Sequence, residues 1–419
     1  MRRAVLLSCL VLVTCPLRAL AAPVESVLHN FSNDDGAYPQ NSLIADGAGN
    51  LYGTAGFGGD TNSGVVFAID PNGVFSVIHH FQGMPNDGSA PSATLVLDKD
   101  GNLYGTTYQG GSHPGPSTFG AGTVFQLVPA GGGVWTENIL YNFCARKNCA
   151  DGQSPADGIT IAENGTLYST TQSGGTGAVQ ANRGTVFRLA PPKPGGAWKY
   201  TVLYDFCSQP GCADGAYPFA GPLLLSKSGQ LIGTAASSDH GGTLFSLAVD
   251  GSGFQVLHDF GVTSADGRSP FSGVVADRNG VVYGMTPMGG AHDCGTAYSF
   301  DPAASTYDTF YSFCAEAGDP SFPQGLFTPI EDRNGLSLYA MSLGGGPSDK
   351  GTVFRLRPPT RPRGHWSEKI VYSFCSQTDC ADGYLPSMGT VLRHDRAFYG
   401  TVSHGGAGDV GVVFRLGKD

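Results

Sequence analysis

Apolar and polar residues alternate along this chain in runs of about five, each closed by a Gly-rich or Asp-headed turn, which is the spacing of short β-strands. The clearest stretch begins with Ala93 to Leu97, an apolar run followed by Asp98-Lys99-Asp100-Gly101. Asp at the head of such a turn bonds its own backbone, and Gly takes the positive φ that the turn demands. Asn102 to Thr107 reads as the return strand, with Leu103 and Gly105 on one face and Tyr104 and Thr106 on the other. Gly at that position leaves room for a neighbouring sheet to approach. A Gly-rich loop leads to a third strand, Thr123 to Leu127, and a hairpin to a fourth, Thr136 to Phe143. No helical periodicity of useful length competes with this pattern after the first twenty-one residues.

The unit recurs. Leu-Tyr-Gly-Thr, then Gly-Gly, then Gly-Thr-Val-Phe places its Tyr at Tyr52, Tyr104, Tyr168, Tyr283, Tyr339 and Tyr399, with Ile232 in the remaining place, at intervals of 51 to 64 residues. Four antiparallel strands at that period predict the blade of a propeller, because one such sheet cannot bury both faces alone. The first strand, Val27 to Phe31, matches the fourth strand of every unit, while Val412 to Leu416 matches a third strand. One end therefore supplies the strand that the other lacks. These observations predict an all-β fold, a seven-bladed β-propeller with four antiparallel strands per blade, its last blade closed by the N-terminal strand. An open solenoid would instead leave whole units and capping segments at its ends.

Composition changes the picture mainly by placing the chain in a compartment. Arg2-Arg3, the apolar run Ala4 to Leu17 and the small residues around Ala19-Leu20-Ala21 read as a signal peptide over residues 1–21, leaving residues 22–419 as a single propeller domain. Losing Arg2, Arg3 and Arg18 would move the formal charge from −10 to −13, with 21 basic residues against 34 acidic ones. That balance disfavours nucleic acid and anionic lipid, and no later segment has the length of a membrane span. A secreted monomer is expected, extracellular, at the cell surface or in the periplasm.

Outside the signal lie eight Cys, three pairs of which share one spacing: Cys144/Cys149, Cys207/Cys212 and Cys375/Cys380. In an exported chain they read as disulfides; a zinc site would need ligands from pairs that lie 58 or more residues apart. Cys294 and Cys314 flank two strands of one hairpin and supply a fourth bridge. The repeated Leu-Tyr-Gly-Thr, Gly-Gly, Gly-Thr-Val-Phe resembles the GloVer tandem repeat proteins, an exported bacterial group also described by its choice of anchor. Drifted copies occur at Tyr168-Ser169-Thr170, Leu231-Ile232-Gly233-Thr234 and Tyr339-Ala340-Met341. The resemblance implies a secreted or surface repeat protein and carries over no catalytic residue.

Candidate chemistry sits in the turns. Asp-Gly pairs at Asp35, Asp87, Asp151, Asp214, Asp266 and Asp382, with Asp319-Pro320 in the sixth unit, occupy the crossover from one blade to the next and should ring one face. Calcium requires six to eight oxygens at one point, more than one Asp per blade offers, so a repeated Asx turn is the simpler reading. Loops expected on the same face carry His113, His240, His292 and His404. No His-Glu-x-x-His spacing, Gly-x-Ser-x-Gly elbow, P-loop or dinucleotide fingerprint accompanies them. Trp135, Trp198 and Trp366 each precede the first Cys of a pair by nine residues and should cover a blade edge. The expected role is a non-catalytic binding module whose ligand, a surface glycan or protein, sits on the face built from these Asp-Gly crossovers and His-bearing loops, without cofactor or metal. The alternatives are a propeller enzyme acting on carbohydrate or lactone, and a purely structural envelope protein.

Overall fold

The computed structural model describes residues 24–417 apart from 116–117, 157, 194–195, 220, 334, 362–363 and 387–388. The expected signal segment, 1–21, lies outside the described residues. The strands form seven antiparallel blades paired in chain order, and no α-helix occurs among the described residues. In the first blade they are Ile44–Ala45, Leu51–Ala55, Val65–Ile69 and Phe75–His80, from the axis outward. Inner strands are shorter than the sequence suggests, except Ser321–Asp332 in the sixth blade. The apolar run from Ala93 joins the ladder only at Val96–Leu97, while Gly88–Pro91 pairs further along the second strand, near Thr107 and Gly110.

Ring closure is as expected. Val24–Asn30 forms the outer strand of the seventh blade and runs antiparallel to Val412–Gly417, from Val24 opposite Gly417 to Asn30 opposite Val412. Nearer the axis, Thr401 Oγ1 donates to the Asn41 carbonyl at 2.9 Å and the Thr390 N–H to Ser42 Oγ at 2.8 Å. The seventh blade thus grips the first at both radii.

One aromatic pair repeats at every seam. The Phe ending each outer strand meets the aromatic of the next blade's third strand edge-on: Phe31/Phe67, Phe81/Phe125, Phe143/Phe187, Phe206/Phe245, Phe260/Tyr298, Phe313/Phe354 and Phe374/Phe414, at 5.0–5.3 Å. All fourteen rings are at most 2% exposed. Such pairs contribute about 0.5–1.5 kcal/mol each beyond their area of burial. The motif Gly answers to the same rings. A Cβ on Gly53, Gly105 or Gly400 would stand 2.5–2.6 Å from Cζ of Phe67, Phe125 or Phe414. Its room is therefore taken by the Phe of its own sheet rather than by a neighbouring sheet.

All four expected disulfides are present: Cys144–Cys149, Cys207–Cys212, Cys294–Cys314 and Cys375–Cys380. They fit an oxidising compartment. Each short bridge closes a single 3₁₀ turn, at Lys147–Cys149, Pro210–Cys212 and Thr378–Cys380.

Candidate functional site

Antiparallel pairing sends the crossovers and the loops between second and third strands to one face. The two sets pair there: Ala37 with Phe57, Gln153 with Ser173, Ala216 with Ser237 and Tyr384 with His404. The crossover carboxylates, however, turn inward. Asp151, Asp214 and Asp382 are fully buried, and Asp87 and Asp266 are 7% exposed. Asp151, Asp214 and Asp382 each reach back to the amides five and six residues upstream and to a Tyr of the outer strand, while Asp87 and Asp266 reach the amide five upstream. Asp151 accepts from Tyr141 Oη, Ala145 N and Arg146 N at 2.7–3.0 Å. Asp214 accepts from Tyr204 Oη, Ser208 N and Gln209 N at 2.8–3.1 Å, and Asp382 likewise from Tyr372, Ser376 and Gln377. Asp266 takes His258 Nε2, Gly261 N, Gly267 N and Tyr307 Oη at 2.8–3.0 Å. Asp35 holds His29 Nε2 at 3.0 Å and the Ser32 N–H at 2.7 Å.

These are backward-reaching braces, not the forward Asx turns expected. Local Asx turns do exist, but in the hairpins: Asp46, Asp98 and Asp277 each accept the amides two and four residues on. A buried carboxylate with several charge-assisted hydrogen bonds is a strong structural tie.

The braces share a third position, six residues before the terminal Phe of the next blade's outer strand. Four seams fill it with a ring stacked on the His or Tyr that holds the Asp: His29/Phe75, Tyr141/Tyr200, Tyr204/Phe254 and His258/Tyr307, at 3.4–3.9 Å. The other three fill it with Glu137, Glu368 and Glu25. Burial, and then the neighbouring carboxylates Asp319 and Asp382, push Glu368 and Glu25 up to about 7. Burial and Asp87 raise Glu137 in the same way.

The four loop histidines do not converge. They stand in the second, fourth, fifth and seventh blades, and no two of them touch among the described residues. His113 Nδ1 meets Ser112 Oγ at 3.3 Å, and the exposed His240 meets Asp259 at 2.6 Å. His404 lies between the rings of Tyr38 and Tyr384, each centred 5.3 Å away, and His292 is exposed. At the axis, Phe219 and Phe271 meet edge-on at 6.0 Å and the described lining leaves about 30 Å³, room for about one water.

A wide concavity opens on the opposite face, between the hairpins of the fourth and fifth blades. Three other seams plug that position. Each Trp lies edge-on against the motif Tyr of the preceding blade: Tyr52/Trp135 at 5.9 Å, Tyr104/Trp198 at 6.3 Å and Tyr283/Trp366 at 6.4 Å. The fourth blade instead carries Ile232, and the fifth carries Ser305 eight residues before Phe313, where those three blades place Trp. Two large rings are missing from one seam. A groove of about 850 Å³ results, floored by Leu224, Ile232, Leu257, Val282 and Phe300 and edged by Ser226, Lys227, Gln230, Gln255, Asp277, Arg278 and Ser305. Arg278 is turned partly aside, its Nε 2.6 Å from Glu331 of the sixth blade. The break in the Tyr series was the sequence signal for this groove.

Similar architecture occurs in the extracellular domain of a protein assigned to the hybrid two-component systems of B. thetaiotaomicron, at TM-score 0.56 and 12% identity over 95% of this chain and 42% of that one. A puromycin hydrolase gives TM-score 0.55 and 13% identity, over 88% of this chain and 51% of that one. The chain thus spans about half or less of either molecule, and the likeness is one of fold. No curated protein sequence matches it. The Gloeobacter/Verrucomicrobia repeat matches residues 19–136 and 115–336, more than half of the chain. With seven copies of the motif folded as seven blades, the protein belongs to the Gloeobacter/Verrucomicrobia repeat family.

Proposed function

We propose that this propeller is an exported, non-catalytic binding module whose ligand occupies the groove between the fourth and fifth blades. One observation carries the reading: this is the seam at which both members of the Tyr/Trp plug are replaced, by Ile232 and Ser305, and the space they would fill lies open. An apolar floor with hydroxyl and amide groups at the mouth suits an amphipathic ligand such as an oligosaccharide with an apolar face or a short peptide segment. Four disulfides support an oxidising destination. Asp151, Asp214, Asp266 and Asp382, each accepting three or more internal hydrogen bonds, brace the scaffold behind the groove.

Refilling the groove tests this. The Ile232→Tyr/Ser305→Trp double variant introduces the plug found at three other seams. A panel of oligosaccharides and peptides, followed by saturation-transfer NMR, should yield ligands that bind the wild type and lose at least tenfold in affinity for the variant. Ligands held equally by both proteins would sink the groove assignment. Turnover of a glycan, lactone or ester by the wild type, lost in the variant, would overturn the non-catalytic part.

A further inference from the structure

We propose a divalent transition-metal site, with Zn²⁺ as its representative ion, formed by His79, Asp87 and Glu137 at the outer rim between the first and second blades. Their ligand atoms all lie within 4.8 Å of one another, the only such group among the described residues. His79 Nε2 is 3.6 Å from both Asp87 Oδ2 and Glu137 Oε1. Two ligand atoms on a tetrahedral zinc are about 3.3–3.6 Å apart, given bonds of about 2.0–2.2 Å. Both distances from His79 already match that spacing, and the two carboxylates lie within 4.8 Å of one another.

A second observation separates this cluster from an ordinary ionic contact. His79 Nε2 and Glu137 Oε1 are buried and have no hydrogen-bond partner. Two orphaned polar atoms aimed at one point call for a ligand that satisfies both. The third ligand is fixed in advance: Asp87 accepts the Gln82 N–H through Oδ2 at 2.7 Å and the Gly88 N–H through Oδ1 at 2.5 Å. Anchoring of this kind orients a metal ligand. The side chains are 10–18% exposed, so the cluster lies just beneath the surface.

Comparison among the seams gives specificity. Where the brace contains a second His, at His29 and His258, the third position is a ring, Phe75 or Tyr307; where it contains another Glu, the His is replaced by Tyr311 or Tyr372. Only the seam between the first and second blades brings one imidazole and two carboxylates together. One nitrogen with two oxygens suits Zn²⁺ or Mn²⁺, while Ca²⁺ and Mg²⁺ prefer all-oxygen shells. This inference is independent of the groove, which lies between other blades.

Chelator-stripped protein is dialysed against Zn²⁺, with excess Ca²⁺ and Mg²⁺ as competitors. One tight equivalent is expected, undisturbed by the competitors, weakened at least tenfold in Glu137→Gln and in His79→Gln, and unchanged when the exposed His365 is replaced by Ala. Equal uptake by wild type and both variants would overturn the site, as would no stoichiometric uptake at all. Should the variants fold poorly, X-ray absorption of zinc on the wild-type protein decides: one imidazole among oxygens supports the assignment, and two or more imidazoles refute it.

Discussion

A single methyl at Gly105 would set Cβ 2.5 Å from Phe125 Cζ and 2.9 Å from Leu95 Cδ2. Both neighbours are buried, so neither can swing into solvent. Overfilling of this kind costs about 1–3 kcal/mol, and Gly105→Ala should lower the urea midpoint accordingly. Phe125→Leu removes the offending ring atom and should itself destabilise. If the clash is the cause, Gly105→Ala will cost less in the Phe125→Leu background than alone, by at least 0.5 kcal/mol in a double-mutant cycle, a typical coupling for contacting residues. Strict additivity would disprove the account. Drifted copies show the tolerance of the site: Ser169 fits by donating to the Gly158 carbonyl at 3.0 Å.

Between elements, adjacent outer strands press carboxyl groups together, and this makes stability depend on pH. Glu25 and Glu368 have folded values near 7 against an ordinary 4.5. An acid with a raised folded value binds more protons folded than unfolded between those limits. Its contribution is therefore fully present below about 4.5 and is lost as pH climbs to about 7. Melting temperature should fall across that window, and Glu25→Gln/Glu368→Gln should flatten the fall and melt higher than wild type at pH 8. An identical pH profile for the variant would refute the role of these pairs. Strands, turns, blade count and disulfides were legible in the chain because each follows from local spacing: alternation, Asp-x-x-Gly turns, and Cys five residues apart. The seams were not. Glu137 meets Asp87 and His79 only because two outer strands from different blades lie side by side, and no period within one unit encodes that meeting. The same holds for the groove, where Ile232 and Ser305 belong to different units, although the lost Tyr was visible. The crossover Asp misled for another reason, since an Asp followed by Gly can tie a turn forward or brace a loop behind it.

At the scale of the whole molecule, seven equivalent aromatic seams leave no blade privileged except the seventh, which borrows its outer strand. Deleting residues 24–30 would bare the Val412–Gly417 edge and withdraw one strand of that sheet. Exposed edges recruit other chains, so the truncated protein should elute as dimers or larger species in size-exclusion chromatography and unfold at lower temperature. A monomer with wild-type stability would show that ring closure contributes little. The same pairing sets a clock. Val24 and Gly417 are roughly four hundred positions apart, and at about 5–20 residues per second a ribosome separates their appearance by about 20–80 s. Val24–Asn30 must therefore wait unpaired until Val412–Gly417 has been synthesised, and whatever shields that lone strand in the interval determines how much protein survives to complete the circle.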